Sequence, residues 1–165
     1  VPISIHIRAA TEADVPAIYA LIVELAVYER EPEAVTITEA DLLRDGWGEQ
    51  PSFTCLVAEA EGAVCGFALY HPTYSTWQGR ALYLEDLYVR ETHRGRGVGT
   101  ALLARVAAEA VAQNCARLDW SVLTWNEPAL RVYERIGALR LDEWRRMRLS
   151  EDALAVLAGQ SEMQR

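Results

Sequence analysis

The chain contains no lysine; all 16 residues of its Lys-plus-Arg total are arginine. That absence excludes Schiff-base chemistry on a lysine amine and the lysine-dependent phosphate loop. Cysteine is scarce too. Cys55, Cys65 and Cys115 form an odd set of three in mostly apolar surroundings. The expectation is buried thiols of a cytoplasmic protein, not a disulfide framework. Neither their spacing nor the three histidines resembles a ligand set, so no metal is expected. No uncharged apolar run reaches the ~18 residues of a membrane span, and no secretory leader is read after Val1. Positive charge is also short: 16 basic residues face 24 acidic ones, a net charge of -8. Nucleic acid and anionic membrane surfaces both call for a basic footprint, so neither partner is expected.

What is present fits one ordinary domain spanning residues 1–165, with 51% hydrophobic and 24% charged residues. The acid excess is lopsided. Residues 1–80 hold 12 acidic residues and 4 arginines, while residues 81–165 hold 12 of each.

Alternation in Ile3–Arg8 predicts a first strand. Thr11 with Asp14 predicts a cap for a helix whose stripe is Ile18, Leu21, Ile22, Leu25 and Tyr28, stopped by Pro32. Thr38 with Asp41 predicts a second helix reaching Gly48. Phe53–Glu59 and Ala63–His71 around Glu61-Gly62 predict a hairpin. Pro72–Arg80 reads as a loop carrying Tyr74 and Trp77. Ala81–Val89 reads as a strand, Thr100–Asn114 as a helix and Leu118–Val122 as a strand. Asn126–Ile136 reads as a helix capped by Asn126 and ended by Gly137. Ala138–Leu141 and Trp144–Leu149 read as closing strands, and Glu151–Leu157 as a last helix. The expected class is mixed α/β.

Two local features carry chemistry. Arg94-Gly95-Arg96-Gly97-Val98-Gly99 lies between a strand and a helix. Its glycines permit a close approach and positive φ, the helix start offers unpaired N–H groups, and its arginines suit phosphate. The spacing is Gly-x-Gly-x-Gly after a fourth strand, which is not the dinucleotide fingerprint. The second feature is Glu85-Asp86, two adjacent carboxylates inside an apolar strand. They face opposite sides if the strand is regular, and a bulge changes that. Trp77 suits the methylene chain and ammonium of an amine. Glu29 and Glu31 end the first helix, either as part of an acidic mouth or as a solvated helix end.

Arg94-x-x-Gly97-x-Gly99 resembles the acetyl-CoA signature of the GCN5-related N-acetyltransferase superfamily. The likeness extends through Leu21–Glu29, Asp41–Gly48, Cys55–Glu59, Tyr74–Arg80, Tyr83-Leu84-Glu85-Asp86, Trp125-Asn126-Glu127 and Tyr133 to Gly137-Ala138. These segments resemble the diamine branch, which includes spermidine/spermine and thialysine acetyltransferases. The resemblance implies a mostly antiparallel sheet splayed between its fourth and fifth strands and flanked by helices. It implies acetyl-CoA as co-substrate, held by the backbone of Leu87, Tyr88 and Val89, by Arg94, Gly95, Arg96, Gly97, Val98, Gly99 and Thr100, and by Asn126 and Tyr133. It further implies Glu85 as base or amine-positioning group, directly or through water. Tyr133 is implied as the acid that protonates the leaving thiolate. Glu29, Trp77, Glu85 and Asp86 are implied on the amine side, in a homodimer.

Acyl transfer to an amine needs such groups. A free ammonium has a pKa near ~10 and must lose a proton, and a thiolate of ordinary pKa near ~8.5 gains from a donor. Ser75-Thr76-Trp77 stands where the polyamine enzyme typically has Asp-Pro-Trp. This departure implies a thialysine-, lysine- or ornithine-like acceptor over spermidine or spermine. Leu139–Asp142 is shorter than the family's corresponding segment, which bears on the far wall of the substrate pocket. Two other classes compete: a same-fold acetyltransferase acting on a protein amine or another small amine, and a non-catalytic acyl-CoA-binding module.

Overall fold

The computed structural model describes residues 4–161; Ile3 of the expected first strand lies outside them. The chain divides into two compact units, one ending at Leu123 and one beginning at Thr124.

In the first unit, strand β1 (Ile5–Ala9) leads into a 3-10 turn at Glu12–Asp14 and helix α1 (Val15–Tyr28). Thr11 and Asp14 form the expected cap, but on the 3-10 turn ahead of the helix. The Asp14 carboxylate accepts from the Thr11 amide at 2.8 Å and from Arg8 at 2.7 and 2.9 Å. Arg8 also reaches Glu59 at 3.1 Å, tying the helix start to the sheet. These donors hold the Asp14 carboxyl down at about 2. Helix α2 (Glu39–Trp47) carries the Thr38–Asp41 capping box as expected.

Strands β2 (Thr54–Ala60) and β3 (Ala63–Ser75) pair around Glu61 and Gly62, both at positive φ, as a two-residue hairpin demands. Strand β4 (Gly79–Val89), helix α3 (Val98–Ala112) and strand β5 (Arg117–Trp120) complete the unit. The five strands lie in the order β1-β2-β3-β4-β5. The first four are antiparallel, and β5 runs parallel to β4. That parallel pairing covers Ala81 to Leu84 and goes no further, so the edge of β4 from Glu85 to Val89 is splayed from β5. This is the expected mixed α/β sheet with its opening between the fourth and fifth strands.

Each sheet face has its own core. Val15, Ile18, Leu21 and Leu25 of α1 and Leu42 of α2 pack with Cys55, Val57, Phe67, Leu69 and Tyr88. Leu102, Leu103, Val106 and Ala110 of α3 are buried, as are the opposite-parity residues Leu56, Ala68, Tyr70, Leu82 and Leu84. Cys55 and Cys65 are buried in these layers and Cys115 is half-buried; all three are free thiols. Burial pushes the Cys55 thiol up to about 12, where it is chemically quiet.

The expected Pro72–Arg80 loop is instead the outer end of the long β3–β4 hairpin, with Ser75 paired to Gly79. Pro72, a usual strand breaker, is accommodated here. It lies beyond Tyr70, the last residue paired to β2, where one edge of β3 is open and a missing N–H is tolerated. The Ser75 hydroxyl accepts from the amides of Trp77 and Gln78, both at 3.2 Å, and Gly79 takes φ +93° to return the chain.

In the second unit, helix α4 (Glu127–Arg135) ends at Gly137, whose φ is +89°. The Gly137 amide donates to Glu134 and the Ala138 amide to Tyr133, each at 3.0 Å, closing the helix as a Schellman motif. The expected strands at Ala138–Leu141 and Trp144–Leu149 are absent: this stretch carries no strand. The alternation of Leu139 and Leu141 has no neighbouring ladder, and the Trp144 amide turns back to Leu141 at 3.1 Å. Helix α5 (Glu151–Gln160) runs past its expected end.

Candidate active site

In the β3–β4 ladder, Leu69 faces Asp86 and Tyr70 faces Leu84, which leaves Glu85 as an extra residue on β4. This is a β-bulge, and its effect follows from parity. Leu69 and His71 share one face of β3, so their partners Asp86 and Tyr83 share it too. Glu85 is two residues from Tyr83 and joins them. A regular strand would split the two carboxylates between faces; the bulge turns both toward the α1 side, where Leu69 packs with Leu25.

Glu29, the C-cap residue of α1, adds a third carboxyl to this face. Burial raises the Glu29 carboxyl above its ordinary value. Asp86 is pushed up to about 7, first by burial, then by the charge of Glu85 and then by that of Glu29. Carboxyls gathered this closely resist ionising together, and the ligand that relieves them is a cation.

His71, which the sequence reading did not single out, sits among them. Its Nε2 lies 3.3 Å from Glu85 Oε2 and its Nδ1 lies 3.2 Å from the Pro72 carbonyl oxygen. Its ring lies 5.5 Å from that of Tyr83 at 31°. The Tyr83 hydroxyl is 2.8 Å from Ser121 Oγ, a link made just where β5 leaves β4. The available signal was parity: His71 is a polar member of the apolar row Phe67, Leu69, His71.

Trp77 is not brought to this cluster. It is 84% exposed at the hairpin tip. Glu85 lies six positions along β4 from Gly79, roughly 20 Å at ordinary strand rise. The Ser75 hydroxyl is engaged in the turn itself.

The glycine-rich turn opens α3. Gly95 and Gly97 adopt φ of +73° and +81°, and Gly97 is the helix N-cap. The amides of Val98, Gly99 and Thr100 fall in the first turn, where no intrahelical acceptor exists. Arg94 folds back: its Nε donates to the Val89 carbonyl at 2.8 Å, and its guanidinium lies over the rings of Tyr28 and Tyr88. Arg96 is exposed. Leu87, Tyr88 and Val89 pair on one edge with Ala68, Phe67 and Gly66, and present the other edge beyond the end of β5. The tight approach of Gly66 to the Tyr88 carbonyl keeps that paired edge close: a Cβ on Gly66 would lie 2.9 Å from it. An open strand edge beside a helix N-terminus can hold an extended, amide-bearing chain that ends in phosphates.

In the second unit, Asn126 caps α4 through its side-chain oxygen, which accepts from the Ala129 amide at 3.4 Å. Tyr133 lies seven residues on, about two turns along the helix, and is half-buried. Among the described residues no cluster of His, Cys, Asp and Glu has the makings of a metal site, and no helix is long and apolar enough to cross a membrane.

The thialysine N-epsilon-acetyltransferase of Bos taurus is 42% identical over 166 residues, covering 94% of this chain and 98% of that one. The L-ornithine N5-acetyltransferase of Arabidopsis thaliana is 29% identical, covering 92% and 87%. An integron cassette protein from the mobile metagenome of V. cholerae superposes with a TM-score of 0.78 at 27% identity, covering 94% and 98%. The model of the acetyltransferase (GNAT) family matches residues 15–138. The chain belongs to the acetyltransferase (GNAT) family and is an acyltransferase enzyme.

Proposed function

We propose that the protein transfers the acetyl group of acetyl-CoA to a primary amine of a small diamine or diamino acid. Thialysine-, lysine- or ornithine-like acceptors are preferred over spermidine and spermine. The observation that carries this reading is the bulge that gathers Glu85 and Asp86 with Glu29 on one face, beside the splayed edge of β4. The names of the thialysine and ornithine relatives support the substrate class. The engagement of Ser75 in its own turn supports weaker selection for long polycations, because no carboxylate stands at that position.

Acetyl-CoA supplies the activated thioester. The residues present suit it: Leu87–Val89 offer backbone partners for the pantetheine arm, and the amides from Gly97 to Thr100 with Arg96 offer donors to its phosphates. Arg94 holds the turn that aims those amides. Asn126 keeps the start of α4 in place and contacts the coenzyme arm. Glu85 accepts or orients the proton of the acceptor ammonium, directly or through one water. Asp86 and Glu29 attract the substrate's cationic end. Tyr133 donates its phenolic proton to the departing thiolate, a role suited to a group neutral at pH 7. The family match runs across the boundary between the two units, which supports one catalytic domain. We further propose a cytoplasmic homodimer with two active sites near its interface.

The experiment is a panel. Protein and acetyl-CoA are mixed with thialysine, lysine, ornithine, spermidine, spermine and a lysine peptide, and free thiol release is followed. Turnover fastest with diamino acids supports the reading. No turnover with any diamine or diamino acid sinks it.

A further inference from the structure

We propose that His71 and Glu85 together form a one-proton acceptor for the substrate ammonium, with His71 as the positioning residue that takes the proton on from Glu85. This rests on the reading of Glu85 as the group facing the amine. The Pro72 carbonyl oxygen can only accept, so His71 Nδ1, 3.2 Å away, carries the hydrogen. In the neutral ring this leaves Nε2 as a bare lone pair, and it faces Glu85 Oε2 at 3.3 Å. An ionised carboxylate is likewise only an acceptor. Two acceptors held this close have room for one proton between them and are incomplete without it.

The substrate supplies that proton. An N–H bond of the ammonium breaks, and its electron pair stays on nitrogen as the lone pair that attacks the thioester. The proton passes to the Glu85 carboxylate and on to Nε2, where a new N–H bond forms. One positive charge leaves the amine and one appears on the imidazole, so charge balances. The His71 side chain is 34% exposed, which lets the imidazolium return its proton to water.

The surroundings hold the ring. The Tyr83 ring lies against it from β4, and the Pro72 carbonyl beside Nδ1 sets the tautomer. The titratable groups facing this cluster are Glu85, Asp86 and Tyr83 on β4 and Glu29 at the end of α1.

The test uses His71→Gln and His71→Phe in the full chain, each with a pH profile of kcat/KM. A glutamine amide can still donate to Glu85 and hold it in place, but cannot take up a proton. Both variants are expected to lose kcat by about tenfold or more with amine KM little changed. The acid limb is expected to move to lower pH, since a carboxylate by itself is a weaker base than the pair. Full kcat in His71→Gln with loss in His71→Phe would mean His71 only orients Glu85, overturning the proton role. An unmoved acid limb in both variants overturns it as well. Nitrogen NMR of the wild-type imidazole at high pH tests the pairing without turnover. A hydrogen on Nδ1 is expected, and one on Nε2 overturns the proposal. Failure of the wild type on every amine would count against the acetyl-transfer reading itself. Intact turnover in Glu85→Gln would count against the role of Glu85.

Discussion

Arg94 Nε donates to the carbonyl oxygen of Val89 at 2.8 Å, fastening the first residue of the glycine-rich turn to the last residue of β4. Its guanidinium carbon lies 4.8 Å from the ring centre of Tyr28 and 5.3 Å from that of Tyr88. An arginine expected to point at phosphate thus also builds the turn. Arg94→Ala is expected to raise the KM for acetyl-CoA about tenfold, the scale of one charged hydrogen bond. Arg94→Lys recovers little of this, because an ammonium cannot both reach Val89 and lie flat on two rings. Steady-state kinetics at saturating amine checks it; an unchanged coenzyme KM in Arg94→Ala would refute the role.

Asp86 gives a stability test with a definite sign. Its carboxyl is raised to about 7 in the folded chain, above an ordinary value near ~4. The folded state therefore keeps a proton that the unfolded chain has lost, and stability declines as pH rises through 7. Asp86→Asn is expected to raise stability at pH 8 by on the order of 2 kcal/mol, and by much less at pH 4. The same change should raise the KM for a cationic acceptor. Denaturant melts at both pH values decide it: equal gains would contradict the buried-carboxyl argument.

Asp14 has the opposite sign. Arg8 and Thr11 hold its carboxyl down at about 2, so its contribution is complete above an ordinary carboxylate value and is lost as pH falls through 2. Its side chain is 10% exposed and that of Arg8 30%, so solvent screens the pair in part. Asp14→Asn should cost about 2 kcal/mol at pH 7, with the gap from wild type closing between pH 4 and pH 2. A gap that stays constant over that range would assign the loss to packing.

Tyr133→Phe keeps the backbone carbonyl that closes α4 through the Ala138 amide and removes one hydroxyl. The expected outcome is a fall in kcat of about a hundredfold, the usual scale for a lost general acid, with coenzyme binding nearly intact. Titration of the coenzyme by calorimetry separates the cases. Lost binding would make Tyr133 structural.

Much of the fold could be read from local rules. Thr38 with Asp41, Glu61-Gly62 and Gly137 each announce a cap or turn by side-chain chemistry alone, and each stands where expected. The errors came where a partner decides. Leu139 and Leu141 alternate like a strand, but no ladder takes up their backbone. Pro72 reads as a break, yet it occupies a strand with one edge open. In the site, Glu85 and Asp86 were conspicuous as adjacent charges in an apolar run, but their common face depends on a register shift in β3 pairing. His71 carries only the signal of its parity in an apolar row; its meaning lies in what the opposite strand sets before it.

The bulge has one more consequence. Strand β4 uses eleven residues to fill ten paired positions against β3. The surplus residue is Glu85, so the carboxylate was added to the ladder rather than exchanged for a core side chain. Deleting it would leave Tyr83, Leu84, Asp86 and Leu87 opposite the partners they already have. The hydrophobic alternation that builds the sheet and the Glu85 carboxylate therefore occupy separate places in the chain, whereas Asp86 and His71 hold paired positions of the ladder itself.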